Sequence, residues 1–500
     1  MRKKIWLFLI LSAFGLAFAF SPLSLRFLAY FALVSLFWVI ENYSYKKTFW
    51  SAWFFGGLFG LFHLWWLYFL VVPVVPMTKF LLILGVTILF AYLGLYTALF
   101  AVITKYTGLI FAPFIWAGLE FIRTKTEIGF PWGLLGYTQT PSIPFIQIAS
   151  IFGVYGISAW VVWINLLIYW IVKEWHSQKT PDFQLRILRW VLTLFLSVLI
   201  PYSYGRLRLK PNQDWFKVAI IQPNVSPNEK GDRESLKKNQ SDLINLTQKA
   251  ILARPSLIIY PETATLTDIT QDKGFQAVLQ KLVDSNKVYL LTGTPVYDQG
   301  VSGRYYNGAV LFEPGTELRQ DYKKIHPVPF SEKIPYADRI PLFKKLETVD
   351  MGDMTPGKIF RVFNFPYGNL SVLICFESIF PDLTQEFTKR GADLLINITN
   401  DGWFGKTFGP YQHAELSILR TVENGVPLVR CANNGVSFIV DPYGRVLNKT
   451  SLFTQTVMID NLPKPIKPTF FRRYGNIFAI VSLGLIGLGL VLRWIRKRNK

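Results

Sequence analysis

"NLSVLICFES", residues 369–378, is the stretch on which the reading of this chain turns. Leu370 to Ile374 have the length and character of a buried strand, and the strand ends on Cys375, one of only two cysteines in 500 residues. Two readings stand for a thiol so placed. A free cysteine is often a small buried hydrophobe. A thiol at a strand end can also be presented to a substrate as a nucleophile.

Around this stretch, from about 211 to 470, short apolar runs recur: "FKVAIIQ", "SLIIYPE", "VYLLTGT", "NGAVLFE", "DLLINIT", "PLVRCAN" and "VSFIVDP". Helical patterns such as "RESLKKNQSDLINLTQKAIL" and "FGPYQHAELSILRTVEN" lie between several of them. Strands alternating with helices predict an α/β domain over 211–470.

The N-terminal part differs. Apolar residues make up 51% of the chain and charged ones only 17%, a balance that favours a membrane protein. A span needs about 20 apolar residues, and seven candidates precede the α/β domain, at roughly 5–20, 23–40, 49–73, 79–103, 106–122, 150–173 and 187–203. An eighth, at 477–495, follows it. The expected organisation is a membrane domain over 1–205, a catalytic domain over 211–470 and a C-terminal transmembrane helix over 477–495. The first segment has some signal-peptide features, with Ala17 and Ala19 before Ser21, but the next apolar run follows so soon that a retained helix is the preferred reading.

The net charge of +21 sits largely in clusters beside apolar runs, such as "MRKK" and "RWIRKRNK", which read as topology signals and not as a nucleic-acid surface. With "MRKK" inside, seven spans put the α/β domain outside and the eighth returns the basic tail inside. Arg123, Lys125, Arg206, Arg208 and Lys210 dissent, since they fall outside. Glu120 with Arg123 reads as an ion pair near a helix end. No metal-ligand spacing is present, so neither a metal nor a cofactor is expected.

Three strand ends carry chemistry. "LIIYPETATL" places Glu262 after one, "DYKKIHPVPFSEKIP" places Lys323 and Lys324 after another, and Cys375 ends the third. Such ends meet at one rim of an α/β sheet. A thiol of pKa about 8.5 needs a base at neutral pH, and Glu262 can serve. A cation beside the developing oxyanion lowers the barrier, and Lys324 can supply it. Each has a plainer reading, as a helix cap for Glu262 and a solvated surface charge for the lysines. His326 is a weaker alternative partner for Cys375. The two cysteines can form one disulfide or none.

Together the three segments resemble the nitrilase-like carbon–nitrogen hydrolases, whose signature is a Glu-Lys-Cys triad in that order on an α-β-β-α sandwich. The membrane region narrows the resemblance to the bacterial apolipoprotein N-acyltransferases. So do "GFPWGLLGYTQ" at 129–139, "IQPNV" at 221–225, "KIHPVPFSEKIP" at 324–335, the long run 397–437 and "DPYGRV" at 441–446. The resemblance implies transfer of an acyl chain from a phospholipid, typically phosphatidylethanolamine, through a thioester on Cys375 to the α-amino group of a diacylglyceryl-cysteine apolipoprotein. It implies an inner-membrane enzyme with its catalytic domain on the periplasmic face. Glu262 would be general base, Lys324 oxyanion stabiliser and Cys375 nucleophile. Glu332, Glu377 and Trp403 would support them, and His413 would anchor structure. Phe376 departs from the pattern, since relatives often carry Tyr there. The opening loop 226–235 lacks the usual Trp, and Cys431 stands where Ala is common. The rival readings are a membrane-tethered amidase of the same fold and a transporter or receptor with a degenerate outer domain.

Overall fold

The computed structural model describes residues 2–71, 76–177, 182–226, 233–298, 305–316, 320–344 and 354–498. Most of the opening loop read above for its missing Trp, 227–232, lies outside the described residues, as does Lys500 of the basic tail.

Five helices among the described residues are long and apolar enough to cross a membrane: 45–69, 79–107, 149–176, 183–208 and 477–496. These spans make the chain a membrane protein. The other three expected spans are helical but shorter. Arg2–Phe18 has 17 residues, and its stripe of Ile5, Leu9, Ala13 and Leu16 is buried in the bundle. Segment 23–40 breaks into a 3₁₀ turn, Arg26–Tyr30, and the nine-residue helix Val34–Asn42. Segment 106–122 is interrupted at Gly108, whose φ of +113° ends the preceding helix, and resumes as Ala112–Arg123. At 1.5 Å per residue, twelve residues reach only about 18 Å, short of the roughly 30 Å hydrocarbon core. Of the eight expected spans, five are therefore single helices of full spanning length among the described residues, and three are shorter or broken helices.

Small residues let these helices touch. A Cβ on Gly94 would stand 2.7 Å from the Trp53 carbonyl oxygen, and one on Gly56 would stand 2.4 Å from Thr97 Oγ1. Without a hydrophobic drive inside lipid, such close backbone contact is what holds helices together.

Among the described residues the α/β domain has eleven strands in two sheets. The first is ordered β11-β1-β2-β3-β4-β5, with β1 Asp214–Gln222, β2 Leu257–Ile259, β3 Tyr289–Tyr297, β4 Tyr305–Phe312, β5 Gln320–Lys323 and β11 Thr456–Pro463. The second is ordered β10-β9-β8-β7-β6, with β6 Leu370–Ile374, β7 Leu394–Thr399, β8 Leu428–Ala432, β9 Phe438–Val440 and β10 Val446–Lys449. Each sheet has three parallel strands at its heart, β1-β2-β3 and β6-β7-β8, joined by crossover helices.

Alternation along the strands sorts the faces. Ala219, Ile221 and Ile258 pack outward against Leu243, Leu279 and Val283 of the helices Arg233–Ile251 and Lys273–Asn286. Val218, Ile220 and Ile259 turn inward to the second sheet, whose register aligns Val372 with Ile396 and Val429, and Ile374 with Ile398 and Cys431. The Cys431 thiol lies 3.4 Å from the carbonyl oxygens of Ile221 and Ile259, so it fills space between the sheets. Both cysteines are free, which closes the disulfide question. The second sheet's outer helices are Pro381–Lys389 and Gly409–Asn424. The latter is buried along nearly its whole length, because the membrane helices cover its far side. The result is an α-β-β-α sandwich seated by one helical layer on a membrane bundle.

Candidate active site

Strand β6 stops at Ile374, and Cys375 opens the 3₁₀ helix Cys375–Ile379 with a φ of +52°. A β-carbon in this left-handed region costs about 1–3 kcal/mol, so the surroundings must impose it. They do so through the Cys375 carbonyl, which accepts from Ser378 Oγ at 3.0 Å, Asn397 Nδ2 at 3.3 Å and His413 Nε2 at 3.3 Å. They also do so through Glu377, whose Oε2 accepts from the Ile374 amide at 2.7 Å.

Glu377 reaches further than its own turn. Its Oε1 accepts from Tyr322 OH at 2.7 Å, the Ile325 amide at 2.7 Å and the His326 amide at 3.1 Å. One fully buried carboxylate therefore ties the end of β6 to the segment leaving β5. Burial pushes Glu377 up to about 7, and its donors, led by the Ile374 amide, oppose the rise.

That β5 segment carries Lys324, which is 1% exposed. Its Nζ donates to Glu332 Oε1 at 2.8 Å and stands 3.7 Å from Glu262 Oε1. Glu332 is held in turn by the Val328 amide at 2.7 Å. Burial pulls the Lys324 pKa down, but the charges of Glu332 and Glu262 outweigh it and keep the ammonium protonated well above the usual range. The lysine is thus an interior cation and not a solvated surface charge.

Glu262 follows β2 and is buried. Its Oε1 accepts from Asn307 Nδ2 at 2.6 Å and its Oε2 from the Asn400 amide at 2.8 Å. Burial raises the Cys375 thiol pKa strongly, Glu262 adds to the rise and Lys324 opposes it. The resting thiol is protonated, and a carboxylate close enough to feel its charge stands beside it. The arrangement can remove a thiol proton and stabilise an oxyanion.

Phe376 is buried and meets Phe380 edge-on, with ring centroids 5.1 Å apart. Trp403 lies in the 3₁₀ helix Asp401–Phe404, is 45% exposed, and its carbonyl accepts from the Val71 amide of the membrane region at 2.8 Å. His326 stacks on Phe380 and is held neutral by burial, at about 4. Glu120 and Arg123 do not form the expected ion pair. Glu120 Oε1 accepts instead from Trp116 Nε1 at 2.8 Å and from the Leu135 amide at 2.7 Å, and so anchors the segment that carries Trp132.

Several groups escaped the sequence reading. Asn307 and Asn400 hold Glu262, and Asn433 Nδ2 donates to Asn400 Oδ1 at 3.2 Å. On the outer face of the second sheet, Asn397 pairs in register with Arg430. Arg430 donates to Asn397 and, at 2.8 Å, to Asp401. Asp401 is fully buried, yet Arg430 holds its pKa below the usual range. His413, kept neutral by burial, has Nδ1 3.0 Å from Arg430 and Nε2 on the Cys375 carbonyl. A buried Arg and Asn on a strand face that should be apolar are the only sequence signal for this network.

The membrane bundle meets the site through Gln412. Its Oε1 accepts from Trp66 Nε1 and Trp132 Nε1, each at 3.0 Å, and Trp132 stacks on His413 at 5.5 Å. Tyr137 OH donates to the Ile379 carbonyl at 3.2 Å, at the end of the Cys375 helix.

Residues 217–466 match the carbon–nitrogen hydrolase family, and residues 12–167 match the apolipoprotein N-acyltransferase N-terminal domain. Three relatives carry the name apolipoprotein N-acyltransferase. That of Geobacter metallireducens is 34% identical over 82% of this chain and 80% of its own length. That of Chlorobaculum tepidum is 30% identical over 78% of each. That of Rickettsia typhi is 35% identical over 77% of this chain and 76% of its own. With both parts of the chain matched and the identity running across the junction between them, the chain belongs to the apolipoprotein N-acyltransferase family.

Proposed function

We propose that this chain transfers an acyl chain from a phospholipid, phosphatidylethanolamine being the expected donor, to the α-amino group of a diacylglyceryl-cysteine apolipoprotein. The observation that carries the reading is a strained, partly exposed Cys375 with a buried carboxylate and a buried ammonium in its field. Glu262 takes the thiol proton as sulfur attacks the donor's ester carbonyl, and Lys324 stabilises the oxyanion. The C–O bond breaks, and Glu262 returns the proton to the leaving lysophospholipid alkoxide. The acyl group is then a thioester on Cys375. The acceptor amine attacks it, loses a proton to Glu262 and expels the thiolate, which is reprotonated. Glu332 and Glu377 hold Lys324 and Cys375 in place, and we read the exposed Trp403 as part of a loop that covers the site.

Both substrates are anchored in lipid, which fits a catalytic domain seated on membrane helices. We read residues 1–205 as the membrane domain, 211–470 as the catalytic domain and 477–495 as a returning span, in the inner membrane with the catalytic domain periplasmic. The test is incubation with phospholipid and a diacylated lipopeptide. A triacylated peptide is expected. Release of free fatty acid, with the peptide unchanged, would favour water as acceptor and a tethered-amidase reading.

A further inference from the structure

A groove of about 630 Å³ lies between the helices Ala149–Ser177, Phe183–Arg208 and Ile477–Arg498 and the start of Ala112–Arg123. Ile151, Phe152, Trp160, Trp163, Ile200 and Phe478 line it, and Ile200 is 64% exposed on its lipid-facing lip. Its polar atoms are used up inside the protein. Pro201 has no N–H, so the Ser197 carbonyl loses its helical partner. Trp160 Nε1 donates to that carbonyl at 2.8 Å, and Trp163 Nε1 donates to Ser197 Oγ at 2.9 Å. Both indoles therefore turn ring carbon toward the groove.

Polar groups gather at the end beside the catalytic domain. Ser150 Oγ and Tyr204 OH lie 2.9 Å apart, and Gln147 Nε2 donates to the Tyr443 carbonyl at 2.8 Å. Arg208 donates to Gln147 Oε1, and its guanidinium sits 5.6 Å from the Tyr443 ring centroid. Ile200, Tyr204 and Arg208 follow one another at i, i+4, so the cation stands on the groove's own face of the helix. Exposed Arg206 and Lys210 flank it. All three are among the cations that run against the positive-inside tendency.

We propose that this groove is a binding site for a resident glycerophospholipid, with one acyl chain along the indole wall and the headgroup phosphate on Arg208. The slot is apolar, its polar end is cationic, and a phosphodiester on an alkyl chain complements both. None of the residues that line it belongs to the α/β domain, so we assign it a lipid separate from the acyl donor. The inference goes beyond the acyl-transfer reading and does not need it.

The test is photo-crosslinking of full-length Cys375→Ala protein, which cannot carry an acyl chain on Cys375. Phosphatidylcholine nanodiscs would hold a rising fraction of phosphatidylglycerol with a diazirine-bearing acyl chain. Crosslinks are expected on peptides spanning 148–163 and 200–204, and they should saturate. Arg208→Gln should raise the half-saturating fraction about tenfold. Ile200→Trp, which fills the slot without touching Arg208, should remove the 148–163 crosslinks and spare those elsewhere. Labelling that never saturates, falls as strongly on exposed Leu188, Leu192 and Phe195, and ignores both substitutions would be ordinary boundary lipid and would overturn the proposal.

Discussion

Glu332 stands closer to Lys324 than Glu262 does, at 2.8 Å against 3.7 Å. The difference divides the labour of two carboxylates around one ammonium. Glu332 takes the direct hydrogen bond and offsets the cost of burying the charge, which in the proposed mechanism leaves Glu262 to serve the thiol. Lys324→Met should therefore lower kcat by about 10²–10³, the usual loss when an oxyanion donor is removed. Glu332→Gln should cost less and raise KM little, because the ammonium remains. Steady-state kinetics of the two variants check this. A Glu332→Gln loss equal to that of Lys324→Met would contradict the division.

Glu377 should give the enzyme an acid limb. All four groups around it are donors, so its ionised form is the one that holds β6 to the β5 exit. Burial raises its pKa to about 7. The carboxylate is then charged above that pH and takes a proton below it, and activity should fall as pH drops through about 7. Glu377→Gln should be slower at every pH and lack that limb. A kcat–pH profile in which the limb survives would assign it elsewhere.

How much of this was legible beforehand varies by residue. Cys375 and Glu262 follow the apolar strands β6 and β2, which are visible in sequence, and Lys324 follows the short polar strand β5. Their support was not visible. Asn307 sits inside β4, and Asn400 and Asn433 read as ordinary loop residues until the two sheets bring them together. The spans at 23–40 and 106–122 read as continuous because hydropathy windows do not register the breaks at 26–34 and at Gly108. Glu120 and Arg123 share a helix face by spacing, but a backbone amide fifteen residues on, that of Leu135, was the better partner.

Gln412 should matter although it touches no substrate. Removing its side chain leaves the Trp66 and Trp132 indole N–H groups buried without an acceptor. Each such group costs about 1–3 kcal/mol. Gln412→Ala should lower the thermal midpoint and, through Trp132 and His413, the rate as well. Gln412→Glu, which keeps the acceptor, should recover part of both. A thermal melt alongside an activity assay separates this from a purely local role.

Cys431 should be a bystander. It is fully buried between the sheets and burial raises its pKa well above the ordinary value. Cys431→Ala should keep its activity and lose only about 1 kcal/mol of stability, the size of one small buried group. A thiol-directed label applied to the native enzyme should modify Cys375 alone. Loss of turnover in an otherwise folded Cys431→Ala protein would overturn this assignment.

The thioester on Cys375 is the central claim, and intact mass measures it most directly. Purified enzyme is incubated with phospholipid and no acceptor, then weighed. The account predicts a gain of one acyl chain, discharged by hydroxylamine, passed on to a diacylated lipopeptide, and absent from Cys375→Ala. An unchanged mass in enzyme that still acylates the lipopeptide would contradict it.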